Sequence, residues 1–487
     1  MNVLNMHPSA FFPSRERFLV FCLVFLQLIL LSRIFWVTNP PGLIMPVVRV
    51  LAPESELVHT HLSPYGPGFG RELVELFAKQ ADFHPVWLHV HTPKAAWPIL
   101  EAGRADLLIG VGDMPRSDLQ TAISRRVAAG PVYVKHPVAI VHQHQSNNGL
   151  SDSSDLCGLR LLVPDSPSLQ QVSLDLLKEQ NCPATVLFTD DGPLPLQFAA
   201  MQQTESQFAL VDTGRYRMWK SFFPEIQISK ILDTSIGYRW FWGTHQRRMN
   251  AALETFWEEK LHSEALAALL DKYFGFLPKQ IDRFALDHLL DRLRYELPRF
   301  NEVIAKAAKR YDIDPLLLIA LIYHESRFDT QAVSRTGVRG IMQITQATAQ
   351  SLGIDNPGDP RQSILAGARY LRQLWERLDR EDLAYWDRWF LALSAYNQGL
   401  GHTWDAMDLA KNLGLQETSW KNVKQVFPLL SQRKYYSKTR HGFTRGREAV
   451  AHVEAVRYYY YILHGLFNIG RDEGEHLGRL GLTGWGS

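Results

Sequence analysis

Residues 319–353 read IALIYHESRFDTQAVSRTGVRGIMQITQATAQSLG, with Glu325 near their middle. A helix is predicted over residues 315–328. Asp314 suits its N-cap and Pro315 its first helical position. Residues 316–322 are apolar on every side, which predicts a central, buried helix rather than a surface one. Leu318, Leu321, Ile322 and Glu325 recur at i, i+3, i+4 and i+7, which is one helix face. The stripe of core residues therefore ends in a carboxylate. Partial burial favours the protonated form of a carboxyl group, and that suits a general acid near neutral pH.

Two further stretches accompany it. Thr336-Gly-Val-Arg-Gly-Ile-Met-Gln follows, and Gly337 and Gly340 permit a tight turn and a close backbone approach. Met342 and Gln343 are then expected in a wall facing the helix end. Ala395-Tyr-Asn-Gln-Gly comes later, on a second apolar helix. A helix ending in Glu-Ser, then G-x-x-G-[IL]-M-Q-[IL], then A-Y-N resembles the lysozyme-like catalytic domain of soluble-type lytic transglycosylases. Those enzymes cleave the glycan strands of bacterial peptidoglycan.

The chain has 487 residues, enough for two or three domains. Its 46% hydrophobic and 21% charged residues are those of a globular protein, so long disorder is not expected. A net charge of +2 is too small to argue for a nucleic-acid partner. Arg433, Lys434, Lys438, Arg440, Arg445 and Arg447 nonetheless form a local basic cluster. It is either a solvated surface or a neighbour of an anionic polymer such as peptidoglycan with its stem-peptide carboxylates. The three cysteines, Cys22, Cys157 and Cys182, lack metal-ligand spacing. No metal and no cofactor is called for. In an exported protein Cys157 and Cys182 can form a disulfide; two unpaired buried thiols are the alternative.

Residues 1–44 are predicted to form an N-terminal signal or membrane anchor. Arg15 and Arg17 precede an apolar run over 18–31, and residues 18–37 are long enough to cross a bilayer. No A-x-A-like cleavage site is evident, and Trp36 suits an interface. An uncleaved anchor is favoured over a cleaved signal.

Residues 45–275 alternate short apolar runs with helical patterns. Strands are predicted at 47–52, 86–90, 106–111, 159–163, 185–189 and 208–212, with helices between them. Such alternation implies mostly parallel sheet covered by helices. Two such lobes joined by extended crossovers near residues 130–141 resemble periplasmic solute-binding proteins of the amino-acid-binding class. That resemblance implies an Arg clasping a ligand carboxylate and an Asp meeting its ammonium, here Arg116 and Asp212. The alternative makes Arg116 a loop charge and Asp212 a helix cap. An amino acid or a stem peptide is the implied ligand.

Residues 276–300 are predicted as linker helices broken at Pro298, residues 301–470 as an all-α catalytic domain, and residues 471–487 as a tail. Residues 423–430 carry a proline and are predicted to be a connection. The fold class expected is thus multidomain: a two-lobed α/β solute-binding-like module followed by an all-α lysozyme-like domain. This order of modules resembles the membrane-bound lytic murein transglycosylase F family. It implies a membrane-associated protein of the bacterial envelope on the periplasmic side, at the outer membrane by resemblance or at the inner membrane by its anchor.

Most glycosidases flank the scissile bond with two carboxylates. Asp329, one turn beyond Glu325, is expected on the same face and cannot oppose it. The transglycosylase resemblance implies one carboxylate, Glu325, acting as acid and then base. It also implies Ser326, Ser334, Met342, Gln343, Tyr396, Asn397 and Tyr459 around the sugar or around Glu325. A hydrolytic muramidase using Asp355 or Asp359, or a non-catalytic glycan and solute sensor, are the competing expectations.

Overall fold

The computed structural model describes residues 46–473 apart from 61, 114–126, 144–157, 159, 180–184, 205, 207 and 280–281. Arg116, Cys157, Cys182, the N-terminal segment 1–44 and nearly all of the tail lie outside the described residues. In chain order the first half comprises β1 (Val47–Pro53), α1 (Phe69–Ala81), β2 (His84–Val90), α2 (Pro93–Glu101), β3 (Leu107–Gly112), β4 (Val127–Ala129), β5 (Val134–Gln143), β6 (Arg160–Pro164), α3 (Pro167–Glu179), β7 (Thr185–Thr189), α4 (Leu194–Gln203), β8 (Phe208–Asp212), α5 (Thr213–Trp219), β9 (Ile226–Gly243), α6 (Arg247–Lys260) and α7 (Glu264–Phe274). The second half is helical: α8 (Arg283–Tyr295), α9 (Asn301–Tyr311), α10 (Pro315–Ser326), α11 (Gln346–Ser351), α12 (Pro360–Arg377), α13 (Tyr385–Gln398), α14 (Leu400–Asn412), α15 (Trp420–Val426), α16 (Arg433–Tyr436) and α17 (Gly446–Glu473).

β1 pairs in parallel with β2 and β3, and β6 pairs in parallel with β7 and β8. These are the two lobes. The expectation of mostly parallel sheet needs one correction. The lobes are hydrogen-bonded into one sheet, in the order β2-β1-β3-β9-β5-β8-β6-β7, through antiparallel β5 and β9. β9 runs 18 residues because it serves both lobes, pairing with β3 and β4 at one end and with β5 over most of its length. Strands such as β3 and β8 are apolar, but for Asp212 at the end of β8, and buried on both faces, as a helix-covered sheet requires.

In the helical half, α10 lies at the centre. Every residue from Leu316 to Tyr323 is buried. Asp314 caps it by accepting from the Leu316 N–H at 2.7 Å. The helix stops at Ser326 because Arg327 and Phe328 are left-handed, with φ of 55° and 62°. This early stop corrects the placement of Asp329. It is not one turn further along the Glu325 face; its carboxylate accepts from the Gln331 N–H in the next turn. Residues 423–430 also depart from expectation. α15 runs directly into a 3-10 helix, Phe427–Ser431, and Pro428 sits in its first turn, where the missing N–H has no partner to lose.

α17 ties the two halves together. It carries four consecutive tyrosines, whose register is ambiguous in sequence. The helix sends them four ways. Tyr458 hydrogen-bonds Ser221 at 2.7 Å, and Tyr459 packs edge-on against Tyr323 of α10. Tyr460 donates to Asp314 at 2.9 Å, and Tyr461 donates to the Met218 carbonyl at 2.8 Å. Beside them Arg457 is buried. It pairs with Glu454 at 3.0 Å and Asp271 at 3.4 Å, donates to the carbonyls of Asp271 and Lys272, and stacks among Tyr65, Phe276 and Phe390.

Candidate functional site

Glu325 stands at the C-terminal end of α10, with its side chain 13% exposed. Three elements surround it. The first is the loop after α10. Its turn is closed by an isolated antiparallel bridge between Val333 and Arg339. Ser334 accepts from the N–H groups of Thr336 and Val338 at 3.3 and 3.0 Å, so its hydroxyl shapes the turn. Gly340 has φ 103°, and a Cβ there would lie 2.8 Å from the Pro357 carbonyl oxygen; only glycine fits. Gln343 is left-handed at φ 48°, a conformation that costs a non-glycine residue on the order of 1–3 kcal/mol and recurs at functional sites. Its amide donates to the Gly340 and Ala332 carbonyls at 2.8 and 3.2 Å, which leaves its carbonyl oxygen for another partner.

The second element is α13. Tyr396 donates to the Met342 carbonyl at 2.9 Å. Burial, and then the Glu325 charge, push its phenol well above its ordinary range. Asn397 is exposed at the helix end and accepts from Gln398 at 2.8 Å. Met342 itself is fully buried, with its thioether packed on Gly367 of α12. Its side chain is a core residue, and its carbonyl is what faces Tyr396. Ser326 is likewise turned inward and donates to the Ile322 carbonyl at 3.2 Å.

The third element is α17. His452 is 3% exposed, and its Nε2 lies 2.8 Å from Glu325 Oε1. Sequence inspection did not single out His452. The signal was available only indirectly, as a polar residue on the apolar face of a predicted helix 127 residues downstream. His324 meets the His452 ring edge-on at 4.7 Å. Burial, chiefly, lowers His324 to about 3, so it is neutral near pH 7. Tyr459 lies 6.2 Å from His324.

The other carboxylates near the motifs are engaged or distant from burial. Asp359 caps α12 by accepting from the Gln362 N–H at 2.8 Å. Asp355 is exposed.

In the α/β half, Asp212 lines a cleft between the lobes together with Glu54, Ser55, Asp191, Arg215 and Tyr238. Asp212 caps α5, accepting from the N–H groups of Gly214 and Arg215 at 2.6 and 3.0 Å. It also takes hydrogen bonds from Tyr238 at 2.6 Å and His136 at 3.1 Å. Burial pushes its carboxyl up, but these donors outweigh burial and hold it below the usual carboxylate range. Arg215 bridges to Glu56 and Asp191 at 2.8 and 3.2 Å. The cleft that remains holds about 20 Å³, room for one water.

Residues 302–418 match the Transglycosylase SLT domain family. The helical half around α10 and its terminal glutamate thus defines the class: a lytic transglycosylase, a lyase acting on peptidoglycan. The chain is 30% identical over 423 residues to membrane-bound lytic murein transglycosylase F 2 of Alkalilimnicola ehrlichii, covering 86% of this chain and 92% of that one. It is 30% identical over 403 residues to membrane-bound lytic murein transglycosylase F of Shewanella halifaxensis, covering 81% of this chain and 80% of that one. It belongs to the membrane-bound lytic murein transglycosylase F family. A solved ancestral arginine-binding protein bound to arginine aligns with 48% of this chain and all of its own, at 16% identity and a TM-score of 0.40.

Proposed function

We propose that the chain cleaves the β-1,4 bond between MurNAc and GlcNAc of peptidoglycan with one catalytic carboxylate, Glu325, and leaves a 1,6-anhydroMurNAc end. The Glu325 carboxyl gives its proton to the bridging oxygen as the C1–O bond breaks. The MurNAc N-acetyl carbonyl stabilises the positive charge that develops at C1. Glu325, now a carboxylate, takes the proton of the C6 hydroxyl of the same MurNAc, and that oxygen closes on C1. The proton count balances and no water is consumed. Gln343 and Asn397 carry amide oxygens suited to sugar acetamido and hydroxyl groups. Tyr396 and Tyr459 line the approach, and Ser334 holds the loop. The observation that carries this reading is a partly buried glutamate at a helix end, with Asp329 and Asp359 engaged in a turn and a helix cap. The test is Glu325→Gln assayed for release of soluble muropeptides. Loss of activity in a folded variant supports the role, and unchanged cleavage removes it.

The α/β module over residues 45–275 is proposed as a regulatory part that takes an amino acid or stem peptide between its lobes. Asp212 and the carboxylates of the cleft supply groups for an ammonium once the lobes open. Residues 301–470 are proposed as the catalytic domain, 276–300 as its linker and 1–44 as a membrane anchor that holds both modules at the periplasmic face of the envelope.

A further inference from the structure

We propose that His452 is a positioning residue for Glu325, donating its Nε2–H to Oε1 in both protonation states and leaving Oε2 to carry the proton that moves. This rests on Glu325 acting as the acid and base. Among the described residues, His452 is the hydrogen-bond partner of Glu325, at 2.8 Å. The other ring nitrogen, Nδ1, is buried and has no hydrogen-bond partner among the described residues. With Nε2 facing the Glu325 carboxylate, the hydrogen belongs on Nε2. The Nδ1–H tautomer would bury an N–H with no acceptor, which native structures avoid. A ring carrying its hydrogen on Nε2 leaves only a lone pair at Nδ1. It presents a donor, not an acceptor, to Glu325.

A donor at Oε1 suits both halves of the cycle. When Oε2 carries the proton, Oε1 is the carbonyl oxygen and accepts from Nε2–H. After Oε2 has given the proton to the bridging oxygen, Oε1 belongs to a carboxylate and the same bond becomes charge-assisted and stronger. The proton from the C6 hydroxyl then returns to Oε2. None passes to His452, and none is exchanged with water. The bond also ties the Glu325 carboxylate to α17 through Oε1. The charged and titratable groups around the pair are His324 and Arg327 from α10 and its end, Tyr396 from α13, and Tyr459 from α17. His324, edge-on to His452, is itself neutral near pH 7, so it places no positive charge beside the pair.

The test compares kcat, KM and the pH profile of kcat/KM on purified peptidoglycan for the wild type, His452→Phe, His452→Gln and Glu325→Gln. His452→Phe keeps a ring and removes the donor. Its kcat is expected to fall about 10–100-fold with little change in KM, the range for a lost hydrogen bond to a charged group. Its alkaline limb moves to higher pH, because the carboxylate has lost a stabilising donor. His452→Gln places an amide N–H near the Nε2 position and restores most of kcat and the wild-type limb. Should the Phe variant not fold, His452→Leu removes the donor instead. Wild-type kcat and limb in the donor-less variant overturn the proposal. So does a Gln variant as impaired as the Phe variant, since ring packing would then be what matters. Full activity in Glu325→Gln would instead defeat the assignment of Glu325, a separate failure.

Discussion

Arg457 is the buried cation at the joint between the α/β and helical halves, and Arg457→Leu removes it. The loss can be worked from its partners. Glu454 sits 3.0 Å away and Asp271 3.4 Å away, and two carbonyls, of Asp271 and Lys272, accept from the same guanidinium. Glu454 keeps Trp420 and Lys424, and Asp271 keeps Lys424 at 2.5 Å, so neither acid is left bare. One cation then serves two half-buried carboxylates, and two carbonyls lose a donor. Breaking a buried pair from one side costs about 3–5 kcal/mol. That is a large part of the 5–15 kcal/mol by which a domain is typically stable. The assay is the thermal midpoint of the purified protein, expected to drop by about 6 °C or more. Arg457→Leu with Glu454→Leu should recover part of the loss, because replacing both sides of a buried pair by apolar groups is often near neutral. A single variant within 1 °C of wild type, or a double variant showing the simple sum of two losses, would refute the reasoning.

Three other outcomes are expected. His324 is held neutral by burial, with a pKa near 3 against an ordinary 6.5, so the folded state binds fewer protons. Stability should be fully present above pH 6.5 and fall as pH drops from there toward 3; His324→Phe should flatten that part of a thermal-midpoint profile. Asp387 is raised to about 6, mainly by burial, which favours the folded state below its ordinary 3.8 and progressively less as pH rises to 6. Asp387→Asn keeps the oxygen that accepts from the Trp420 N–H, so it should raise the midpoint at pH 8 and leave it nearly unchanged at pH 3. Gly340→Ala sets a Cβ 2.8 Å from the Pro357 carbonyl at a positive φ; it should cost about 2–3 kcal/mol and reduce glycan cleavage with it, measured by unfolding and by muropeptide release.

Much of the architecture was legible in the sequence because it is written in local patterns. Period-two and period-3.6 apolar runs placed most strands and helices, and Asp314-Pro315 marked the start of α10. What was not legible depends on long-range geometry. The joining of both lobes into one sheet follows from how far β9 extends, which its composition does not show. The end of α10 at Ser326 rests on two left-handed non-glycine residues, Arg327 and Phe328, and neither carries the glycine that usually announces such a stop. That one departure takes Asp329 off the Glu325 face. The inward turn of Met342 depends on Gly367 giving it room, 25 residues away in the chain. His452 lay outside the motifs, and only the packing of α17 on α10 brings it to Glu325. Likewise, the sequence could not distinguish the four tyrosines of α17; their partners come from four separate parts of the fold.

The central claim is a single-carboxylate reaction that closes an anhydro ring. Its most direct test is mass spectrometry of the soluble products from purified peptidoglycan. Muropeptides ending in 1,6-anhydroMurNAc, lighter by one water than hydrolysed ones, are the predicted result. Reducing MurNAc ends would contradict it, because water would then be the nucleophile and a second carboxylate would have to activate it.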